Sequence, residues 1–240
     1  MTAIAAERYT GASIKRSEDP RILTGAGRYV DDIKLPGMLH AAFVRSPLAH
    51  ARVLSVDASA ARALPGVVAA YTGAELEDMT VPGPDALMAL MGWQGPTPQF
   101  TLLATDKVRF AGDPVAVVIA ESRYLAEDGC ELVAVEYEDL PPVTNASFAL
   151  DPSSPPLFAN LGDNIARTHS RSEFGDAPAT FAGADRVFDV HIDVHRHQNV
   201  PMEGRGCVAS YDADTGAMTV YAATQSVHVS KIAIAMRLGM

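Results

Sequence analysis

Cysteine is scarce. The 240 residues hold two, Cys130 and Cys207, far apart and in no CxxC spacing. This argues against an iron–sulfur or zinc centre held by this chain's own thiolates. It supplies no disulfide framework, and a reducing, cytoplasmic setting fits better. Positive charge is short as well: 19 Lys and Arg stand against 29 Asp and Glu, for a net charge of −10, with no Lys/Arg-rich run. A nucleic-acid role is therefore not expected. Long apolar runs are missing. No stretch reaches the ~18 residues of a membrane span, and the opening MTAIAAERYTGASIKRSEDP has no apolar core of the kind a signal peptide needs. The apolar fraction of 48% and charged fraction of 20% are ordinary, so one large domain or two smaller ones can each bury a core.

What is present is organised around Lys107–Val143. Val115–Ala120 is an unbroken apolar run rich in β-branched residues, which suits a strand covered on both faces. Ser122 is a fair N-cap for a helix whose stripe includes Leu125, Cys130, Leu132 and Val133. Val133, Val135 and Tyr137 then alternate with Ala134, Glu136 and Glu138, the period of a strand with one wet face. Pro141 and Pro142 end it, since neither can donate to a ladder. A second strand–helix–strand pattern spans Arg52–Val56, Ala58–Leu64 and Val67–Tyr71, with Leu39–Val44 as a strand before it.

Residues 77–106 form a long insert rich in proline and glycine that also holds the only tryptophan, Trp93. It is expected to lay its apolar part on a partner surface. Residues 144–165 carry Pro152, Pro155, Pro156 and Gly162 and read as a linker. Beyond them a new β region is expected from Gly175–Ala184, then strands at Arg186–His195, Val208–Tyr211 and Ala217–Ala222. A helix over Ser226–Leu238 follows, capped by Ser226 and stopped by Gly239.

Few side chains suggest chemistry. Gly25-Ala26-Gly27 invites a dinucleotide reading and fails it: no strand precedes, no helix follows, and Val30 stands at the third glycine position. His191, Asp193, His195 and His197 share strand parity, roughly 6–7 Å apart as same-face neighbours, and so are candidates for Zn or Fe. The same alternation describes a solvent-facing side opposite Val190, Ile192 and Val194. Cys130 and Cys207 lack an adjacent base and read as small buried hydrophobes. Asp31/Asp32 and Glu136/Glu138 read as solvated surface. Glu203, in Pro201-Met202-Glu203-Gly204-Arg205-Gly206, reads as a structural ion pair or a site edge. Gln225 lies between a strand and a helix, where ligands tend to bind α/β units and where helix amides suit an anionic or oxo ligand.

The ordered segments DPRILTGAGRYVDDI, LPGMLHAAFVRSPLAHARV, LPGVVAAYTGAEL and KVRFAGDPVAVVIAESRYLAEDGCELVAVEYEDLPPV resemble the α/β-hammerhead domain of the molybdenum hydroxylases. These are the large subunits of xanthine dehydrogenase, aldehyde oxidase and aerobic carbon monoxide dehydrogenase. VPMEGRGCVASYDADTGAMTVYAATQSVHVSKIAIAMRLGM resembles the start of the molybdopterin-binding domain that follows. The resemblance runs from about Ile14 to Met240. It implies an α/β (α+β) chain with a lead-in at 1–16, a hammerhead domain at 17–143, a linker at 144–165 and an incomplete molybdopterin-binding domain at 166–240.

The resemblance also implies roles. Gln225 takes the position of the glutamine that hydrogen-bonds an oxo-type ligand of molybdenum. Pro201–Gly206 matches a PMEPRG segment in which Gly204 replaces the usual proline, and Glu203 is structural there. The glycine-rich GGGFG segment and the glutamate general base of the family have no counterpart here, so the chain reads as a truncated piece or a split large subunit. The activity implied is hydroxylation of a carbon centre in a small molecule with water as oxygen donor. The cofactor is molybdopterin in its cytosine dinucleotide form, shared with the rest of the large subunit. FAD sits on a medium subunit and [2Fe–2S] on a small one. Two other readings stand beside this: a non-catalytic assembly module, and a metal hydrolase using His191, His195 and His197.

Overall fold

The computed structural model describes residues 9–77, 79, 97–165, 174–195 and 197–240. The chain divides into two compact units. One comprises residues up to Pro36 together with His195–Gln225; the other comprises Gly37–Val194 together with Ser226–Met240.

In the larger unit the chain runs β1 (His40–Arg45), β2 (Ala51–Asp57), α1 (Ser59–Ala63), β3 (Val67–Thr72) and α2 (Gly73–Glu77). It continues with β4 (Lys107–Val108), β5 (Pro114–Ala120), α3 (Arg123–Glu131) and β6 (Ala134–Asp139). The strands form two antiparallel three-stranded sheets, ordered β1–β5–β3 and β4–β2–β6. Both strand–helix–strand patterns exist, but the two strands of each belong to different sheets. The helix carries the chain across: β2–α1–β3 passes one way and β5–α3–β6 the other.

The central strand β5 is covered on both faces, as its apolar run requires, with Val115, Ala116, Val118 and Ala120 fully buried. Val118 stands in register with Ala42 on one side and Ala70 on the other. One core cluster joins Ala58, Ala61, Ala70, Ala116, Val118 and Val133, and a second joins Ala51, Ala104, Val108 and Val115. Val44 and Val135 pack against both.

The expected stripe of α3 is met in part: Val133 belongs to the first core cluster and Cys130 packs against it. Ser122 caps the helix by accepting from the Leu125 amide at 3.2 Å, but Ala126 and Gly129 are the residues buried, while Leu132 is exposed. The helix lies so close to β5 that a Cβ on Gly129 would come within 2.8 Å of Val118 Cγ1. Only small side chains fit there. A similar approach occurs at Gly73, where a Cβ would stand 2.6 Å from the Ala104 carbonyl oxygen.

Arginines tie the connections. Arg62 donates from Nε and Nη2 to the Ala70 carbonyl at 3.0 and 2.8 Å, and Nη2 also meets both oxygens of Glu75. The Thr72 amide and hydroxyl donate to the same carboxylate, at 2.8 and 2.9 Å. These bonds, led by the Thr72 amide, hold the Glu75 carboxyl below its ordinary pKa. Arg109 secures residues 144–165. Its Nε donates to the Leu157 carbonyl at 3.1 Å, and its guanidinium lies 4.8 Å from the centre of the Phe158 ring. Phe158 meets Phe100 edge to face, and Asn160 Nδ2 donates to the Thr97 carbonyl at 2.7 Å. The proline-rich stretch, which includes α4 (Ala146–Ala149), is therefore held on the surface of the larger unit. From the long insert, Leu103 and Ala104 are buried; Leu87–Trp93 lie outside the described residues.

Two expectations fail after residue 165. Gly175–Ala184 is not a β region: α5 (Ala177–Ala182) forms, with Asp176 accepting from the Ala179 amide at 2.9 Å and Pro178 in the first turn. An acidic cap followed by proline is a helix-start signal that outweighs the weak β pattern. Arg186–His195 is not a strand in this chain. It carries strand alternation, yet no strand among the described residues pairs with it.

The smaller unit contains α6 (Asp19–Leu23), a 3-10 turn at Val30–Asp32, and a hairpin of β7 (Cys207–Asp212) and β8 (Ala217–Ala222). Gly25 explains the GAG motif. It ends α6 at φ 75°, with the Gly25 amide donating to the Ile22 carbonyl and the Ala26 amide to that of Arg21. In the larger unit, α7 (Val227–Leu238) ends the same way at Gly239, φ 66°. Its expected cap is absent, for the Ser226 side chain accepts no helix amide.

Two measurements test this packing. Gly73→Ala drives a methyl onto backbone that cannot yield, and is expected to lower stability by about 1–3 kcal/mol. Gly129→Ala sets its methyl 2.8 Å from Val118 Cγ1, a buried β-branched side chain, but gains about 1 kcal/mol of helix propensity, so it should lower stability by less than Gly73→Ala; denaturant melts that rank the two the other way would contradict the close approach at Gly73. Asp113, half-buried, accepts from the Arg109 amide at 2.9 Å. Burial raises its pKa against the opposing effect of Arg109, so stability should fall as pH rises through the carboxylate range, from about pH 4 upward. Asp113→Asn keeps an acceptor and should flatten that fall; superimposable pH profiles of thermal stability would refute the assignment.

Candidate cofactor-facing site

Gln225 lies in the connection from β8, which ends at Ala222, to α7, which starts at Val227. The two elements are well specified. Asp212 and Gly216 close the β7–β8 turn: Asp212 Oδ1 accepts from the Asp214 and Thr215 amides, and Gly216 adopts φ 69°. Gln225 is exposed, and its carboxamide makes no hydrogen bond among the described residues. An exposed carboxamide offers two N–H donors and one acceptor to a ligand from outside this chain. That chemistry fits an oxo-bearing cofactor.

Glu203 is structural in the way its surroundings suggested, though its partner is not an arginine. Its Oε1 accepts from the Val30 amide at 3.0 Å, joining the PMEGRG segment to the 3-10 turn. Gly206 passes close to Val30, and the Ala223 amide donates to the Gly206 carbonyl. Asp32 is not simply solvated, since its Oδ2 accepts from the Tyr29 amide at 2.9 Å. Glu138 pairs with Arg52 at 2.7 Å on an exposed face, and Glu136 accepts from Ser55. Gly204 has φ in the ordinary range and open space where a Cβ would stand.

The histidine set does not assemble. Without a strand the shared parity loses its meaning. His191 Nε2 and Asp193 Oδ1 stand 3.2 Å apart with both side chains 88% exposed. His195 and His197 are exposed too, and among the described residues no group of three His, Cys, Asp or Glu side chains is placed to hold a metal ion. Cys130 is half-buried and its thiol pKa is pushed up, chiefly by burial, which disfavours the thiolate. Cys207 is exposed rather than buried, because a two-stranded hairpin has no second layer over it.

His50 went unmarked in the sequence. It is 5% exposed, its Nδ1 lies 2.7 Å from the Pro141 carbonyl, and its buried Nε2 has no partner among the described residues. A carbonyl only accepts, so Nδ1 carries the proton. The contact pins the proline pair after β6 to the start of β2. No spacing signal marks it, since its partner is a backbone atom 91 residues away.

The described residues form a mixed α+β fold. Residues 24–141 match the family model described as aldehyde oxidase and xanthine dehydrogenase, a/b hammerhead domain, and residues 157–240 match the molybdopterin cofactor-binding domain. The nicotine 6-hydroxylase large subunit of Paenarthrobacter nicotinovorans is 38% identical over 95% of this chain and 28% of its own length. The carbon monoxide dehydrogenase large chain of Afipia carboxidovorans is 38% identical over 96% and 29%. Among solved structures, a Cu,Mo carbon monoxide dehydrogenase superposes with a TM-score of 0.76 at 38% identity, over 94% of this chain and 29% of the other. Quinoline 2-oxidoreductase from Pseudomonas putida 86 gives 0.78 at 36%, over 95% and 28%. The chain belongs to the molybdenum hydroxylase large-subunit family and spans less than a third of the length of these relatives. Among the described residues no helix is long and apolar enough to cross a membrane.

The Glu203 contact is testable. Glu203→Ala should cost the smaller unit about 1–3 kcal/mol, the range for a bond to a charged acceptor, and accelerate hydrogen exchange at the Val30 amide. Glu203→Gln, which keeps an acceptor, should lose much less; equal losses would show that the hydrogen bond is not what the carboxylate provides.

Proposed function

We propose that this chain is the N-terminal portion of the catalytic large subunit of a molybdenum hydroxylase, present as a fragment or a split subunit. The observation that carries the reading is the ordered match of both family models along one chain, on a fold that superposes on such enzymes. Under this reading the domains are a lead-in to residue 16, the hammerhead to 143, a linker to 165 and then the start of the molybdopterin-binding domain. The assembled enzyme acts on a small molecule in the cytoplasm. It carries molybdopterin in its cytosine dinucleotide form, and electrons leave through a [2Fe–2S] small subunit and an FAD-binding medium subunit.

When bound, the molybdenum–pterin group supplies a two-electron oxidation that adds water-derived oxygen to a substrate carbon. This chain's part is orientation. Gln225 would help hold the group, its Nε2 amide being a donor suited to an oxo-type ligand. Glu203 steadies the segment leading into β7 through the Val30 amide. The hammerhead supplies no reacting group.

The test is co-expression with the genomic neighbours, followed by metal and pterin analysis of the purified complex. Molybdenum in near-stoichiometric amount is expected. A complex without it would favour the assembly-module reading instead. In the loaded enzyme, Gln225→Ala should lower turnover on the order of 100-fold, as for loss of one preorganised donor, with assembly and molybdenum content unchanged. Turnover at the wild-type rate would remove Gln225 from the site.

A further inference from the structure

Val30 meets the stretch 203–206 at both of its ends. Its amide donates to Glu203 Oε1 at 3.0 Å. Its side chain lies against Gly206, where an added Cβ would come within 3.4 Å of Val30 Cγ1 and 3.9 Å of Val30 Cβ. The stretch between has little stiffness of its own, since Gly204 and Gly206 leave the backbone free to turn. The Gly206 carbonyl then accepts from the Ala223 amide at 3.4 Å, one step beyond the Cys207–Ala222 pair at the end of the β7–β8 ladder. A bond of that length is at the weak end of N–H···O geometry, so a shift of a few tenths of an ångström decides whether it forms. Gln225 follows Ala223 by two residues. All of these residues belong to the smaller unit.

We infer that Val30 is a positioning residue for Gln225. By holding Glu203 and Gly206 together it aims the Gly206 carbonyl at the Ala223 amide, and so fixes where the connection carrying the Gln225 carboxamide leaves the ladder. Under the proposed function, on which this rests, that carboxamide meets the cofactor. Val30 itself offers a ligand nothing: its side chain has no donor or acceptor, and its amide is engaged by Glu203. Its influence passes through contacts made inside this chain. Placement matters on this scale, for a displacement of about 1 Å can cost on the order of 100-fold in rate.

The experiment compares Val30→Ala, Val30→Ile and Gln225→Ala, in the full chain by hydrogen–deuterium exchange and in the loaded complex by kinetics. Val30 is half-buried and belongs to neither core cluster, so Val30→Ala should fold. It removes both methyls from the Gly206 contact and should speed exchange at the Ala223 amide by about tenfold, with amides of the larger unit unchanged. Val30→Ile keeps a β-branched side chain there and should stay within about twofold of wild type. In the complex, Val30→Ala should lower kcat by about tenfold with KM and molybdenum content unchanged, and Val30→Ile should restore it. In a Gln225→Ala background Val30→Ala should cost less than about twofold more, because residues that act through one another are not additive. Unchanged exchange at Ala223, unchanged kcat in Val30→Ala, equal impairment by Val30→Ile, or the full tenfold loss in the Gln225→Ala background would each overturn the inference while leaving the proposed function in place. Wild-type turnover in Gln225→Ala alone would reject the proposed site, and Val30's role with it.

Discussion

The closeness of α3 to β5 is the constraint on which the larger unit depends. Val118 lies between Ala42 and Ala70 in the ladder and under Gly129 of the helix. Around it the buried positions are alanines, at 58, 61, 70, 116 and 126. Small side chains let backbone elements approach until the main chains themselves limit the distance, and such packing leaves little volume for error. Because Val44 and Val135 touch both core clusters, the two sheets are coupled through shared contacts rather than a common ladder. A scaffold of this kind is stiff and chemically inert.

Stiffness extends outward through two arginines. Arg62 closes the end of β3 by gathering a carbonyl and a carboxylate into one fork, and Arg109 does the same for a stretch that would otherwise trail in solvent. Each is partly exposed, so neither is worth much as an isolated ion pair. Their value is geometric: five donors in a plane can meet several acceptors at once, which a lysine cannot do. Leu157 and Phe158, just after the prolines, are thereby held on the surface of the larger unit.

The elements legible in the sequence were those whose signal is local. Val115–Ala120 announced a buried strand by its unbroken β-branched run, and Gly239 a helix end. The misreadings have identifiable sources. The stripe of α3 is legible in part, since Cys130 and Val133 reach the core, while the turn nearest β5 carries alanine and glycine because distance, not area, governs that approach. Asp176 and Pro178 were passed over as helix signals because the surrounding residues are weakly patterned. Arg186–His195 shows the limit from the other side: its alternation was read correctly, and what it lacks is a partner. The candidate site was legible only by resemblance. Gln225 is one exposed glutamine in a short connection, and nothing in its spacing or composition marks it.

The sequence alone determined the strand–helix–strand order of the larger unit, the burial of β5 on both faces, and which family's segments the chain carries in order. These depend on periodicity, capping and turn chemistry within a few residues. The tertiary structure alone decided that each strand–helix–strand unit is shared between two antiparallel sheets and that Glu203 answers the Val30 amide 173 residues away. It likewise decided that His50 is bound to a carbonyl and that the histidines form no metal set among the described residues. Pairing between distant segments is chosen by shape and by the hydrogen bonds left unsatisfied once local structure has formed, and those quantities exist only when the chain is folded.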